Sequence, residues 1–218
     1  VELGTTIKSV KKKISDAMSI MQLDELKCRK RVLRRFGFIN EAEVVQLKAR
    51  VACEISTGDE LMLSELLFNG FFNNMTPEQC AAVLSVFVFE EKAKDTPALR
   101  QDELVKPLKE IQAQARIIAK VSLESKLAVN EDEYVQSFHW ELMETMYEWA
   151  NGKSFAEICK MTDVYEGSLI RVFRRLEELM RQMAQASKVM GSEELEQKFE
   201  TSLTKVRRDI VAAQSLYL

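Results

Sequence analysis

Between Met161 and Met183 the chain reads MTDVYEGSLIRVFRRLEELMRQM, in which Ile170, Phe173, Leu176, Met180 and Met183 recur every three or four residues. That spacing lays all five along one stripe of an α-helix and commits the stripe to burial. A helix this long with a continuous apolar stripe needs other helices to cover it. The remaining sequence supplies them. Only 7 of the 218 residues are Gly and 3 are Pro, too few for an all-β fold with many turns, and the ten Met with many Leu, Glu, Lys and Arg favour helices. The expected fold class is all-α: a helical bundle around the long helix, with a projecting N-terminal helix.

Start and stop signals divide the chain. Residues Thr5 to Phe36 read as one helix, with Ile7, Val10, Ile14, Ala17 and Met21 spaced as a coiled-coil seam that wants a partner helix alongside. Gly37 stops it. Asn40 caps a second helix, EAEVVQLKARVACEI, and Asp59 or Ser56 opens a third that Gly70 ends. Thr76-Pro77-Glu78-Gln79 is a capping box with proline in the first turn, opening EQCAAVLSVFVFEEK. Its VFVF suits a strand, but the cap and the length favour a buried helix. AKDTPALR reads as a loop. Pro107 either starts or kinks the long helix that follows. EDEYVQSFHWELMETMYEWA is helical with an aromatic face, broken near Ser137, and ends at Asn151-Gly152. Ser154 to Glu157 is a second capping box. A turn at Thr162-Asp163 leads into the arginine helix, from about Tyr165 to Met190. Gly191 stops that helix, and Ser192 opens a last one running to about Leu216.

Composition narrows the function. A net charge of −3 and a pI near 5.5 imply that any nucleic-acid contact is local or shared with partner surfaces. Cys28, Cys53, Cys80 and Cys159 form no C-x-x-C, which argues against a zinc site or a disulfide framework and fits the cytosol or nucleus. CAAVLSVFVF, the longest apolar run, is far short of a membrane span, so no membrane partner is expected. No signal peptide is visible. A chain that starts at Val1 within a helical pattern reads as a piece of a longer protein. No phosphate loop or nucleophile motif occurs, His139 is the only histidine, and no cofactor or metal is expected on this chain.

The long helix carries the main candidate site. Arg171, Arg174, Arg175 and Glu178 share the face opposite the apolar stripe. Two readings of this face stand. It is solvated surface, with Arg174 and Glu178 as an i, i+4 pair in the less favourable order, or it holds RNA or DNA, since arginine stacks on bases and glutamate accepts from exocyclic amines. With FAEICKM before it, the segment also resembles a helix-turn-helix. Lys27 to Arg35 reads as a solvated basic face. Trp140, Trp149, Phe138 and Tyr147 read as mostly core, and Phe68, Phe71 and Phe72 as packing around Gly70. Glu90 and Glu91 could serve as a glycosidase-like pair, but nothing else supports that chemistry.

Three segments carry a resemblance. GDELMLSELLFNGFFNNMTPEQCAAVLSVFVFEEK, EWANGKSFAEICKMTDVYEGSLIRVFRRLEELMRQM and RRDIVAAQSLYL resemble the C-terminal DSHCT domain of superkiller-like DExH-box RNA helicases, nearest to their nuclear exosome-associated branch. DELKCRKRVLRRFGFI is similar to the returning arm of the stalk that carries the arch in those proteins. The resemblance implies a stalk helix over 1–36 and a helical bundle over 37–218. It implies that ATP and magnesium bind in RecA-like domains absent from this chain, and that those domains and a winged helix are its partners within the parent protein. It implies further that single-stranded RNA runs past a "ratchet" helix whose RNA-facing arginine and glutamate map onto Arg175 and Glu178, with Glu91 as an additional contact. Nuclear exosome, polyadenylation and adaptor proteins, and a nuclear location, come with the resemblance. The chain alone is not expected to be an enzyme. A helical scaffold that docks adaptor proteins is the other functional class.

Overall fold

The computed structural model describes residues 2–91 and 99–212. Among them run eleven helices and no strand: α1 (Glu2–Arg35), α2 (Leu47–Ala52), α3 (Glu60–Phe68), α4 (Pro77–Ser85), α5 (Asp102–Glu124), α6 (Glu131–Gln136), α7 (Met143–Ala150), α8 (Phe155–Ile158), α9 (Glu166–Met190), α10 (Glu193–Val206) and α11 (Asp209–Ala212). The fold is all-α.

Helix ends fall where local chemistry puts them. Thr76 and Gln79 exchange hydrogen bonds with each other's backbone N–H groups at the start of α4. Asp59, rather than Ser56, caps α3: one carboxylate oxygen accepts from Met62 N at 2.8 Å and the other accepts the Tyr134 hydroxyl at 2.7 Å. Ser154 N and Oγ both donate to Glu157 at the start of α8. Helices α1, α3, α7 and α9 each end with a left-handed glycine. At α9, Gly191 N donates to Lys188 O and Ser192 N to Ser187 O, the paired closure that a left-handed residue permits.

The core is built on α4, which packs against α5, α7, α9 and α10. Cys80 to Ser85 have no exposed surface at all. Helices α9 and α10 form an antiparallel pair across the Gly191 turn. Phe173, Leu176, Leu179, Met180 and Met183 are fully buried, each stabilising the fold by on the order of 1.5–3 kcal/mol. Trp149 packs against the first of them, its ring 4.9 Å from that of Phe173. Phe72 stacks edge-on against Phe199 at 5.2 Å and against Phe71 at 5.0 Å, so these two aromatic residues after Gly70 pack as expected, whereas Phe68 before it stays exposed. Pro107 sits inside α5, buried, in its second turn.

Three expected helices differ. The one opened by Asn40 shrinks to α2. Asn40 Oδ1 takes the Val44 N–H at 2.9 Å, Glu43 turns left-handed, and Ile39 bridges Val45 antiparallel, so 38–46 form a small hairpin instead. VFVF is neither strand nor regular helix: after Ser85 the chain continues in tight i→i+3 turns, buried on all sides. The last helix breaks at Arg207-Arg208, because the Arg208 guanidinium stacks 3.6 Å over the Trp149 ring and donates to Trp149 O, while Trp149 Nε1 donates to Val206 O. The expected loop over 93–100 and the end of the last helix fall largely outside the described residues.

Residues 3–17 of α1 are exposed on every side, including the seam positions Ile7, Val10 and Ile14. The Met21 side chain lies outside the described set. Among the described side chains of α1, those at its far end join the body: Cys28 and Val32 are buried, and Arg35 pairs with Glu124 of α5 at 2.6 Å. Lys48 completes the joint. It donates to Phe36 O at 3.0 Å, lies over the Phe38 and Phe68 rings, and pairs with the buried Glu65.

Candidate nucleic-acid interface

Because the apolar stripe of α9 faces the core, its opposite side faces outward over several turns. Arg171, Arg174 and Glu178 are exposed there, and Arg175 is 40% exposed. The chain after α4 comes up beside this face. Its turns are anchored by Phe87, Val88 and Phe89, all buried. Gly58 seats them: a Cβ there would lie 2.9 Å from Leu63 Cδ1 and 3.3 Å from Phe87 Cβ, so a side chain in the 53–59 loop would push on both buried residues.

This anchoring delivers two carboxylates to α9. Glu90 accepts a charged hydrogen bond from Arg175 Nη2 at 2.8 Å. The Arg175 hydrogen bond and charge hold the Glu90 carboxyl below its usual range. Glu91 accepts from Ser168 Oγ at 3.0 Å, Ser168 Oγ accepts from Arg171 Nη2 at 2.9 Å, and Arg171 Nη2 stands 3.7 Å from Glu91 itself. One turn on, Glu178 is held from its C-terminal side, by Arg181 Nη1 at 3.0 Å and Gln182 Nε2 at 3.1 Å. Gln182 in turn accepts from Ser56 N and Thr57 N, tying this turn to the 53–59 loop. Arg181 also pairs with Glu177.

The DSHCT (NUC185) domain profile matches residues 42–214. The chain belongs to the DSHCT family. It is 61% identical over 212 residues (97% of the chain) to the ATP-dependent RNA helicase mtr4 of Schizosaccharomyces pombe. It is 54% identical over 217 residues (100% of the chain) to the exosome RNA helicases MTR4 of Homo sapiens and Mus musculus. It spans 19% of the first of these proteins and 21% of the other two.

Within this DSHCT domain the residues picked from sequence, Arg171, Arg174, Arg175, Glu178 and Glu91, gather on one surface. Glu91 is distant from the others in sequence, yet it reaches Ser168 and Arg171. Glu90 and Ser168 were not singled out for this surface. Glu90 showed only as half of an acidic pair, and nothing local pairs it with Arg175. Ser168 lies a turn before Arg171 on α9, a spacing that could have flagged it. The helix-turn-helix reading finds little support: α8 is a single turn, and residues 159–165 separate it from α9, longer than the short turn of that motif. Lys27 to Arg35 is mixed: Lys27 and Arg29 sit in ion pairs on wet surface, while Cys28 and Val32 face the body. His139 is largely enclosed, 3.5 Å from Glu141.

Proposed function

We propose that this chain is the RNA-channel module of an ATP-dependent 3′–5′ RNA helicase that passes RNA to the nuclear exosome, with α9 touching single-stranded RNA through Arg175, Glu178 and Arg171. In this reading ATP and magnesium belong to RecA-like domains elsewhere in the parent protein. Those domains and a winged helix close the channel against the bundle, and exosome, polyadenylation and adaptor proteins are the partners. Residues 1–36 form the returning stalk helix and 37–218 the bundle, and the compartment is the nucleus.

What supports the reading is the convergence on the outward face of α9 of arginines and glutamates from two separate segments. Several arginine–glutamate pairs on one rigid helix offer stacking planes and acceptors without a strongly cationic surface. Such a face holds a base briefly and lets it go, whereas a cationic groove would grip phosphates and resist movement.

The test compares unwinding with RNA-stimulated ATP hydrolysis in the intact helicase. Arg175→Ala and Glu178→Ala should slow unwinding more than hydrolysis. A lost base contact worth ~1–2 kcal/mol cuts productive steps roughly tenfold. Both residues are on the surface, so melting should shift by no more than about 0.5 kcal/mol. Leu176→Ala is the control, leaving a core cavity that costs ~2–5 kcal/mol. Parental unwinding by Arg175→Ala would return the face to plain solvated surface.

A further inference from the structure

We infer that Glu90 and Glu91 are positioning residues that turn the α9 arginines from phosphate binders into base-stacking surfaces, an inference that rests on the RNA contact proposed above. A guanidinium recognises a carboxylate and a phosphate through the same donor edge. At Arg175 a carboxylate already sits on that edge: Glu90 takes Nη2 at 2.8 Å. At Arg171 the Nη2 donor goes to Ser168 Oγ, which itself donates to Glu91, and the Glu91 carboxylate stands 3.7 Å from the same nitrogen. Both acids therefore occupy ground a phosphate oxygen would need. The planar face of a guanidinium is not used by such in-plane bonds and still offers a stacking plane.

Charge balance points the same way. Arg171, Arg174, Arg175 and Arg181, with Arg207 reaching Glu177 from the end of α10 at 3.5 Å, face Glu90, Glu91, Glu177 and Glu178, so the arginine charge on the outward face of α9 is largely offset. The two acids that come from beyond α9 are not needed to hold the helix, whose own stripe is buried in the core. Glu90 and Glu91 are also well exposed, at 75% and 56% of their side chains, too wet for a stabilising role in the core. Their effect is electrostatic and geometric. They hold the arginine heads in place and deny them to the backbone of the strand, so that the strand is read by its bases.

The experiment measures affinity of the intact helicase for a short oligoadenylate and for an abasic ribose-phosphate strand of the same length, across a series of salt concentrations. Glu90→Gln with Glu91→Gln keeps size and removes charge. It should tighten binding of the abasic strand and steepen the salt slope by about 0.7 for each phosphate newly engaged, so that between about 50 and 200 mM salt each such phosphate adds roughly a 2.6-fold loss of affinity. Glu90→Asp with Glu91→Asp keeps the charge and should keep the parental slope. An unchanged slope and unchanged abasic affinity in the glutamine variant would overturn the inference. Arg175→Ala separates the two ideas: it should weaken oligoadenylate more than the abasic strand, and no effect on either strand would overturn the RNA contact itself.

Discussion

Lys126 carries a backbone conformation that four glycines adopt elsewhere in the fold. Its φ is +68°, and it closes α5 by the same paired bonds, Lys126 N to Leu123 O and Leu127 N to Ser122 O. A side chain in the left-handed region crowds its own carbonyl, a strain glycine avoids. Lys126 is exposed, so its side chain is not needed for packing. Lys126→Gly should therefore stabilise the bundle by about 0.5–1 kcal/mol, raising Tm by a few degrees in a thermal melt. Glu78 makes a second residue-scale case. Burial pushes its carboxyl up, but hydrogen bonds from Lys205, its own backbone N–H and Thr76, with the Lys205 charge, leave it below the usual carboxylate value. A carboxyl lowered on folding contributes stability that is complete above its unfolded value and is lost as pH falls through the folded one. Lys205→Met should cost under about 1 kcal/mol at neutral pH, since Lys205 is partly exposed. Urea unfolding at a series of pH values should show variant and parent converging as pH falls below the ordinary glutamate value of about 4.3.

Which elements were legible follows from whether their signals were local. The α3 and α4 caps, the four glycine stops and the apolar stripe of α9 act within a turn or two of themselves, and the structure keeps each. The break after Val206 is the opposite case. TSLTKVRRDIVAAQ has unbroken helical periodicity, and the reason it stops is Trp149, more than fifty residues upstream. The hairpin at 38–46 is hidden in the sequence for a subtler reason: Asn40 does use its side chain on a nearby N–H, but on Val44, forming a loop rather than a helix cap. At the candidate site the α9 residues were readable from period alone, whereas the Glu90–Arg175 pair depends on where the turns after α4 are anchored. The Trp149–Arg208 lock gives the element-scale prediction. Arg208→Lys cannot stack flat on the indole while also donating in a planar fork. It should destabilise the bundle by about 1–3 kcal/mol by chemical denaturation, with loss of order centred on α11.

Taken as a whole, the described residues divide into a body held by α4, α9 and α10 and an arm that buries no side chain over residues 3–17. The candidate interface lies on the body, so its geometry is independent of the arm. The arm's own stability is another matter. Over residues 3–17 every side chain is exposed, and no buried side chain anchors the chain to the body there. An isolated helix of that length is marginal in water, so its amides should open with a free energy near zero, against the several kcal/mol of the packed body. From Cys28 onward the same helix is tied down by Val32, the Arg35–Glu124 pair and the Lys48 joint. Hydrogen exchange read by mass spectrometry should therefore split α1 in two, with peptides from 3–17 exchanging at least about tenfold faster than those from 28–36, since each 1.4 kcal/mol of opening energy is worth that factor. Mutation supplies the independent check. Ile7→Asp with Ile14→Asp removes the apolar seam but nothing buried, and should leave the unfolding midpoint of the body unchanged within about 0.5 kcal/mol. Val32→Ala, on the same helix but 5% exposed, should cost on the order of 2 kcal/mol. If the seam variant instead lowered the midpoint as much as Val32→Ala, the seam would be packed on the body in solution, and the outer half of α1 would belong to the fold rather than stand free of it to receive a partner helix.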